Sequence, residues 1–145
     1  MNKGLKTYFY NTVIFFLILT GFGQMPIFKR YYIADIPGLG WLAKFFVTFF
    51  IHYVAAFLLI VFIFYMLTSF YLSKKKINLT NSGWVRVFGL AGLVSTGILL
   101  VIKNFAITPY VPPFIVFLYL SHLTFMMVYC ASAIYSRIFK KEYLI

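Results

Sequence analysis

The sequence predicts an all-α integral membrane protein, a four-helix bundle with short loops and a first loop that lies on the membrane surface. Three observations lead there. Hydrophobic residues make up 63% of the 145, and charged residues only 10%. A soluble domain of this size could not bury that much apolar surface. The stretch from Phe45 to Phe70 holds 26 residues with no charge and a single histidine, His52. A helix rising about 1.5 Å per residue needs about 20 apolar residues to cross a hydrocarbon core of about 30 Å, so this stretch is long enough. Finally, the basic residues behind the net charge of +11 sit at the ends of apolar runs, where snorkelling and the positive-inside rule place them. A nucleic-acid-binding face would need a polar fold to carry it, so the charge does not point to nucleic acid.

The chain reads as one transmembrane domain over residues 1–145, with helices at about 8–22, 45–70, 84–105 and 114–135. The first follows the basic start MNKGLK. It lacks a small-residue cleavage pattern at Thr20-Gly21-Phe22-Gly23-Gln24, so it is expected to remain as a span rather than leave as a signal peptide. Residues 23–44 are too aromatic for a free linker. Tyr31, Tyr32 and Trp41 suit the headgroup zone, and Pro26, Pro37, Gly38 and Gly40 break any long helix. A compact surface segment with a helical turn or two is expected. After the second span come Lys74, Lys75 and Lys76, then a turn at Asn81-Ser82-Gly83, with Ser82 or Asn81 as the cap of the third span. The Asn78-Leu79-Thr80 triplet matches a glycosylation acceptor, a weak motif on the wrong side of the expected topology. The third span carries Gly89, Ala91, Gly92, Ser95, Thr96 and Gly97, small residues that admit a neighbouring helix or a flat cofactor. Pro109, Pro112 and Pro113 mark a tight hairpin before the fourth. The single Cys130 lies in an apolar run and cannot form an internal disulfide.

Lys3, Lys6, Lys74, Lys75, Lys76, Arg86, Arg137, Lys140 and Lys141 fall on one side of this topology, against Lys29, Arg30, Lys44 and Lys103 on the other. Both termini are therefore expected to face the cytoplasm of an inner-membrane, multi-pass protein.

His52 and His122 are the only histidines. With these boundaries they lie roughly 10–12 Å below the outer boundary on two parallel spans. Ionisable groups inside a span are costly and usually mark function. Three readings stay open. Facing imidazoles in a bundle core suit haem iron; Ala55 and Ala56 would leave room for a porphyrin, Phe49, Phe125 and Tyr129 would flank it, and Lys29, Arg30, Lys44 and Lys103 would meet its propionates. Each histidine could instead make one structural hydrogen bond. A proton or ion relay is the third reading, although relays normally also use intramembrane carboxylates, and Asp35 and Glu142 both lie outside the spans.

The stretch TGFGQMPIFKRYYIADIPGLGW (20–41) followed by His52, GWVR…TGILLVIKN (83–104) and SHLTFMM (121–127) resembles the small four-helix cytochrome b membrane subunits of anaerobic bacterial oxidoreductases. These are broadly similar to the cytochrome b subunits of formate dehydrogenases and hydrogenases. The resemblance covers about residues 13–135 and is most specific in the first loop. It implies one haem b held by His52 and His122, and electron transfer between an iron–sulfur or other redox subunit and the quinone pool. Relatives often carry a second histidine three positions before the one matching His52; here that position is Phe49. Two histidines allow one bis-histidine haem and no second. Met66, Met126 and Met127 lie within spans and read as core filler rather than axial ligands. No Cys cluster or Gly-rich phosphate loop suggests an iron–sulfur centre, flavin or nucleotide on this chain, so it is expected to be a non-catalytic electron-transfer subunit. Tyr31, Tyr32, Trp41, Lys44 and Asn104 are the candidate liners of a quinone site. The alternative from another class is a haem-free membrane anchor or assembly subunit. A small transporter is disfavoured by the lack of intramembrane acids and of an evident internal repeat.

Overall fold

The computed structural model describes residues 3–25, 27–30, 32–74, 80–104 and 110–139, with the backbone alone for Lys3, Lys29 and Arg30. The described residues are helical and contain no strand. In chain order they form α1 (Lys3–Gly23), the single turn α2 (Ile27–Arg30), 3-10 turns at Ile33–Asp35 and Gly40–Ala43, α3 (Phe45–Ser73), α4 (Asn81–Ile102) and α5 (Pro112–Ile138). Among the described residues, α1 from Gly4, α3, α4 and α5 are long and apolar enough to cross a membrane. These are the marks of a multi-pass membrane protein. The outward apolar side chains, such as Phe46, Phe57, Phe64 and Tyr71, suit contact with lipid.

The helix ends differ from the sequence expectation, for identifiable reasons. α1 begins at Lys3 rather than near residue 8, and the Lys6 ammonium lies over the ring of Tyr65, 5.1 Å from its centroid. α4 begins at Asn81, so Asn81-Ser82-Gly83 is its first turn rather than a preceding loop. Its cap is Thr80, whose Oγ accepts from the Gly83 N–H at 3.2 Å. The same helix closes at Ile102 rather than 105. α5 starts at Pro112 because proline fits the first turn, where the missing N–H would have no helical partner.

The chain divides into two compact units, Met1–Lys75 and Lys76–Ile145. In the first, α1 packs against α3. Val13, Ala55 and Leu59 are buried there, and Phe9 and Tyr10 meet Phe62 at centroid distances of 5.4 and 5.9 Å. The connecting loop folds back on the helix ends as expected for a compact segment. Leu42 is 1% exposed, and a Cβ on Gly23 would meet its Cδ2 and its carbonyl oxygen at 3.2 Å. Tyr32 and Gly38 take the left-handed backbone that the chain needs to reverse direction in so short a space.

In the second unit α4 packs against α5. Of the two small residues Gly89 and Gly92, the second sets how closely the helices approach. A Cβ on Gly89 would lie 3.5 Å from the Tyr129 Cβ, and one on Gly92 would fall 2.6 Å from two ring carbons of Phe125. These glycines thus serve helix–helix contact, the more ordinary of the two uses open to a small-residue face. Phe125 and Tyr129, expected as flanks of a porphyrin, spend these surfaces on α4.

Candidate functional site

Each unit carries one histidine, and each histidine meets a threonine on the neighbouring helix. In the first, the Thr20 Oγ of α1 lies 3.0 Å from His52 Nδ1 of α3. In the second, the Thr96 Oγ of α4 lies 2.9 Å from His122 Nδ1 of α5. Both threonines are buried, Thr20 completely. Each hydroxyl also reaches back one turn along its own helix. Thr20 Oγ donates to the Phe16 carbonyl at 2.6 Å, and Thr96 Oγ to the Gly92 carbonyl at 2.7 Å. This return bond is the usual way a serine or threonine is accommodated inside a helix.

The residue after each threonine is glycine, and it faces the same ring. A Cβ on Gly21 would stand 3.6 Å from His52 Cε1, and one on Gly97 would stand 3.5 Å from His122 Cε1. Cε1 is the carbon between the two ring nitrogens, and both distances are those of ordinary van der Waals contact.

The correspondence extends along both hairpins. Four residues before the histidines stand Thr48 and Leu118; seven after them stand Leu59 and Tyr129; seven before the threonines stand Val13 and Gly89. All six are buried. Two different sequences therefore build the same antiparallel register around a threonine–glycine pair and a histidine. The sequence signal was present: Thr20-Gly21 and Thr96-Gly97 are its only Thr-Gly dipeptides. Sequence reading missed Thr20 and Gly21 as site residues, and treated Thr96 and Gly97 only as small residues. Their partners are 32 and 26 positions away and become neighbours only once the helix register is fixed.

The other candidate residues distribute unevenly. Lys44 immediately precedes α3 and is exposed; its carbonyl receives the Val47 and Thr48 amides. Lys103 follows α4, and its ammonium donates to the Tyr119 hydroxyl at 2.8 Å, one helical turn before His122. That bond brings one expected cation close to a histidine along α5. Tyr32 is 74% exposed, and Trp41 lies in the 3-10 turn Gly40–Ala43. Asn104 follows α4. Tyr31 and the side chains of Lys29 and Arg30 lie outside the described residues. The candidate quinone liners are thus divided, Tyr32, Trp41 and Lys44 in the first hairpin and Asn104 in the second. Phe49, the position where relatives carry a further histidine, stacks on Phe45 and contacts the Tyr53 ring at 4.2 Å. Met126, one of the spanning methionines, receives the Cys130 thiol at 3.8 Å.

Neutral imidazole is a ligand type that haem iron takes. Each histidine is held at Nδ1 by a threonine and has a glycine beside Cε1. Among the described residues no three His, Cys, Asp or Glu side chains gather as a metal site of another kind. No family model, curated protein or solved structure matches the chain.

Proposed function

We propose that this chain is a membrane cytochrome b subunit, with His52 and His122 as the axial ligands of one haem b. It relays electrons between an iron–sulfur or other redox subunit and membrane quinone, as the resemblance to subunits of anaerobic bacterial oxidoreductases implies. The observation that supports this reading is the repeated Thr-Gly/His arrangement, one copy in each hairpin. In both copies the same ring nitrogen is held by a threonine and a glycine stands beside the same ring carbon.

Haem, when bound, supplies a one-electron iron couple. The chain's own part is to bind and to shield. His52 and His122 would hold the haem iron, and an iron held by two histidines would offer no place to oxygen or substrate. The apolar helices keep water from the site and so favour electron relay over side chemistry. Lys29, Arg30, Lys44 and Lys103 are the cations available to the haem carboxylates. Tyr31, Tyr32, Trp41 and Asn104 are the groups that would meet a quinone. The excess of Lys and Arg near the termini and the 71–86 loop supports an inner-membrane topology with both termini cytoplasmic.

The test is a reduced-minus-oxidised spectrum with a pyridine haemochrome assay on protein purified with its native partners. A b-type signal of about one haem per chain is expected, lost in His52→Ala and in His122→Ala. Absence of haem would sink this reading in favour of a haem-free membrane anchor. The close packing of Phe125 on Gly92 and Tyr129 on Gly89 favours that second reading, since it accounts for those glycines without a cofactor.

A further inference from the structure

We infer that Thr20 and Thr96 are positioning residues that fix both histidines in the Nδ1–H tautomer and so present Nε2 as the ligating nitrogen. A threonine hydroxyl has one proton and two lone pairs. In each hairpin the shortest bond of that hydroxyl runs to a carbonyl of its own helix, 2.6 Å for Thr20 and 2.7 Å for Thr96. A carbonyl can only accept, so the proton is committed there. The oxygen therefore faces Nδ1 as an acceptor, at 3.0 Å for His52 and 2.9 Å for His122, and Nδ1 must bear the hydrogen. A neutral imidazole protonated at Nδ1 carries its lone pair on Nε2. Gly21 and Gly97 lie beside the neighbouring Cε1.

The same hydrogen bond sets the electronic character of the ligand. An acceptor at Nδ1–H makes the imidazole a stronger donor at Nε2, which favours the oxidised metal. The tautomer stands on the hydrogen-bond geometry alone; its effect on a haem rests on the cytochrome reading above.

The experiment separates the two. Full-length protein carrying 15N-histidine and no histidine tag gives two ring spin systems, because the chain has two histidines. In the cofactor-free protein in detergent, 15N NMR should show both rings protonated at Nδ1. Thr20→Val should release His52 from that tautomer and leave His122 in it, and Thr96→Val should do the reverse. Thr→Ser at either site keeps the hydroxyl and should retain the wild-type pattern. Nε2–H tautomers in the wild type, or unchanged tautomers in folded valine variants, overturn the inference. Where a valine variant fails to fold, a serine variant that loses the Nδ1–H tautomer overturns it and one that keeps it supports it. In haem-loaded protein, each valine variant should weaken haem retention by about 10–100-fold and raise the midpoint potential, with serine restoring both. A haem-loaded wild type whose potential and retention ignore Thr→Val also refutes the positioning role. A wild type that never holds haem refutes the cytochrome reading and leaves the tautomers to be judged by NMR.

Discussion

Replacing Gly92 by alanine should separate α4 from α5. The new Cβ would lie 2.6 Å from Phe125 Cδ1 and Cε1 and 2.7 Å from Cγ. Carbon atoms settle at about 3.5–4.0 Å, so the ring or the helix must retreat by about 1 Å. Three ring atoms are involved, so the retreat is that of a whole side chain packed on the helix. Such overpacking costs about 1–3 kcal/mol. Alanine recovers about 0.8–1.0 kcal/mol through its better helix propensity, which leaves a net loss of roughly 0–2 kcal/mol. Gly89→Ala is the internal control. Its Cβ would meet Tyr129 Cβ at an ordinary 3.5 Å, so the propensity gain should stand and the variant should be neutral or more stable by up to about 1 kcal/mol. The two variants should thus differ by about 1–3 kcal/mol, read from helical signal during denaturant titration in mixed micelles. Phe125→Ala should relieve the clash, and a double-mutant cycle with Gly92→Ala should show favourable coupling of about 1–2 kcal/mol. Equal stabilities for Gly92→Ala and Gly89→Ala, or no coupling to Phe125, would refute the claimed closeness of the two helices.

Three further outcomes are expected. Leu42→Ala should cost about 2–5 kcal/mol, because the side chain is almost wholly buried against the end of α1; limited proteolysis within residues 32–41 should quicken. Thr80→Ala should cost about 0.5–2 kcal/mol by removing the cap of α4, seen as faster hydrogen exchange at Gly83, with Thr80→Ser close to wild type. Lys103→Met and Tyr119→Phe should each have small effects, with a coupling of about 0.5–1.5 kcal/mol in a double-mutant cycle, since the bond they share is solvent-exposed.

The spans were legible because a charge-free run such as Phe45–Phe70 leaves few alternatives to a membrane helix. Their ends were harder to read. Thr80 looked like loop, and Asn81 and Ser82 looked like caps, because all three residue types can cap and only the observed bond to Gly83 decides among them. Lys3 and Lys6 read as a basic tail, although basic residues are good helix formers and Lys6 gains a ring of α3 by extending α1. At the site, the histidines stood out by their rarity. Their threonine partners did not, since a threonine in a span is common and its meaning here depends on which turn of one helix faces which turn of another. Small residues in the third span were visible from sequence, but not the way they divide: Gly92 receives the Phe125 ring, Gly89 the Tyr129 Cβ and backbone, and Gly97 an imidazole.

Division into two hairpins also gives the protein a schedule. Translation at about 5–20 residues per second means that the roughly 70 residues from Lys76 onward take about 4–14 s to appear after the first hairpin is complete. Its α1–α3 pairing and the Thr20–His52 bond lie within the first 75 residues and need nothing from the rest. The newborn chain can therefore seat one imidazole while the second is still unsynthesised. The second hairpin then closes its own Thr96–His122 pair without drawing on the first.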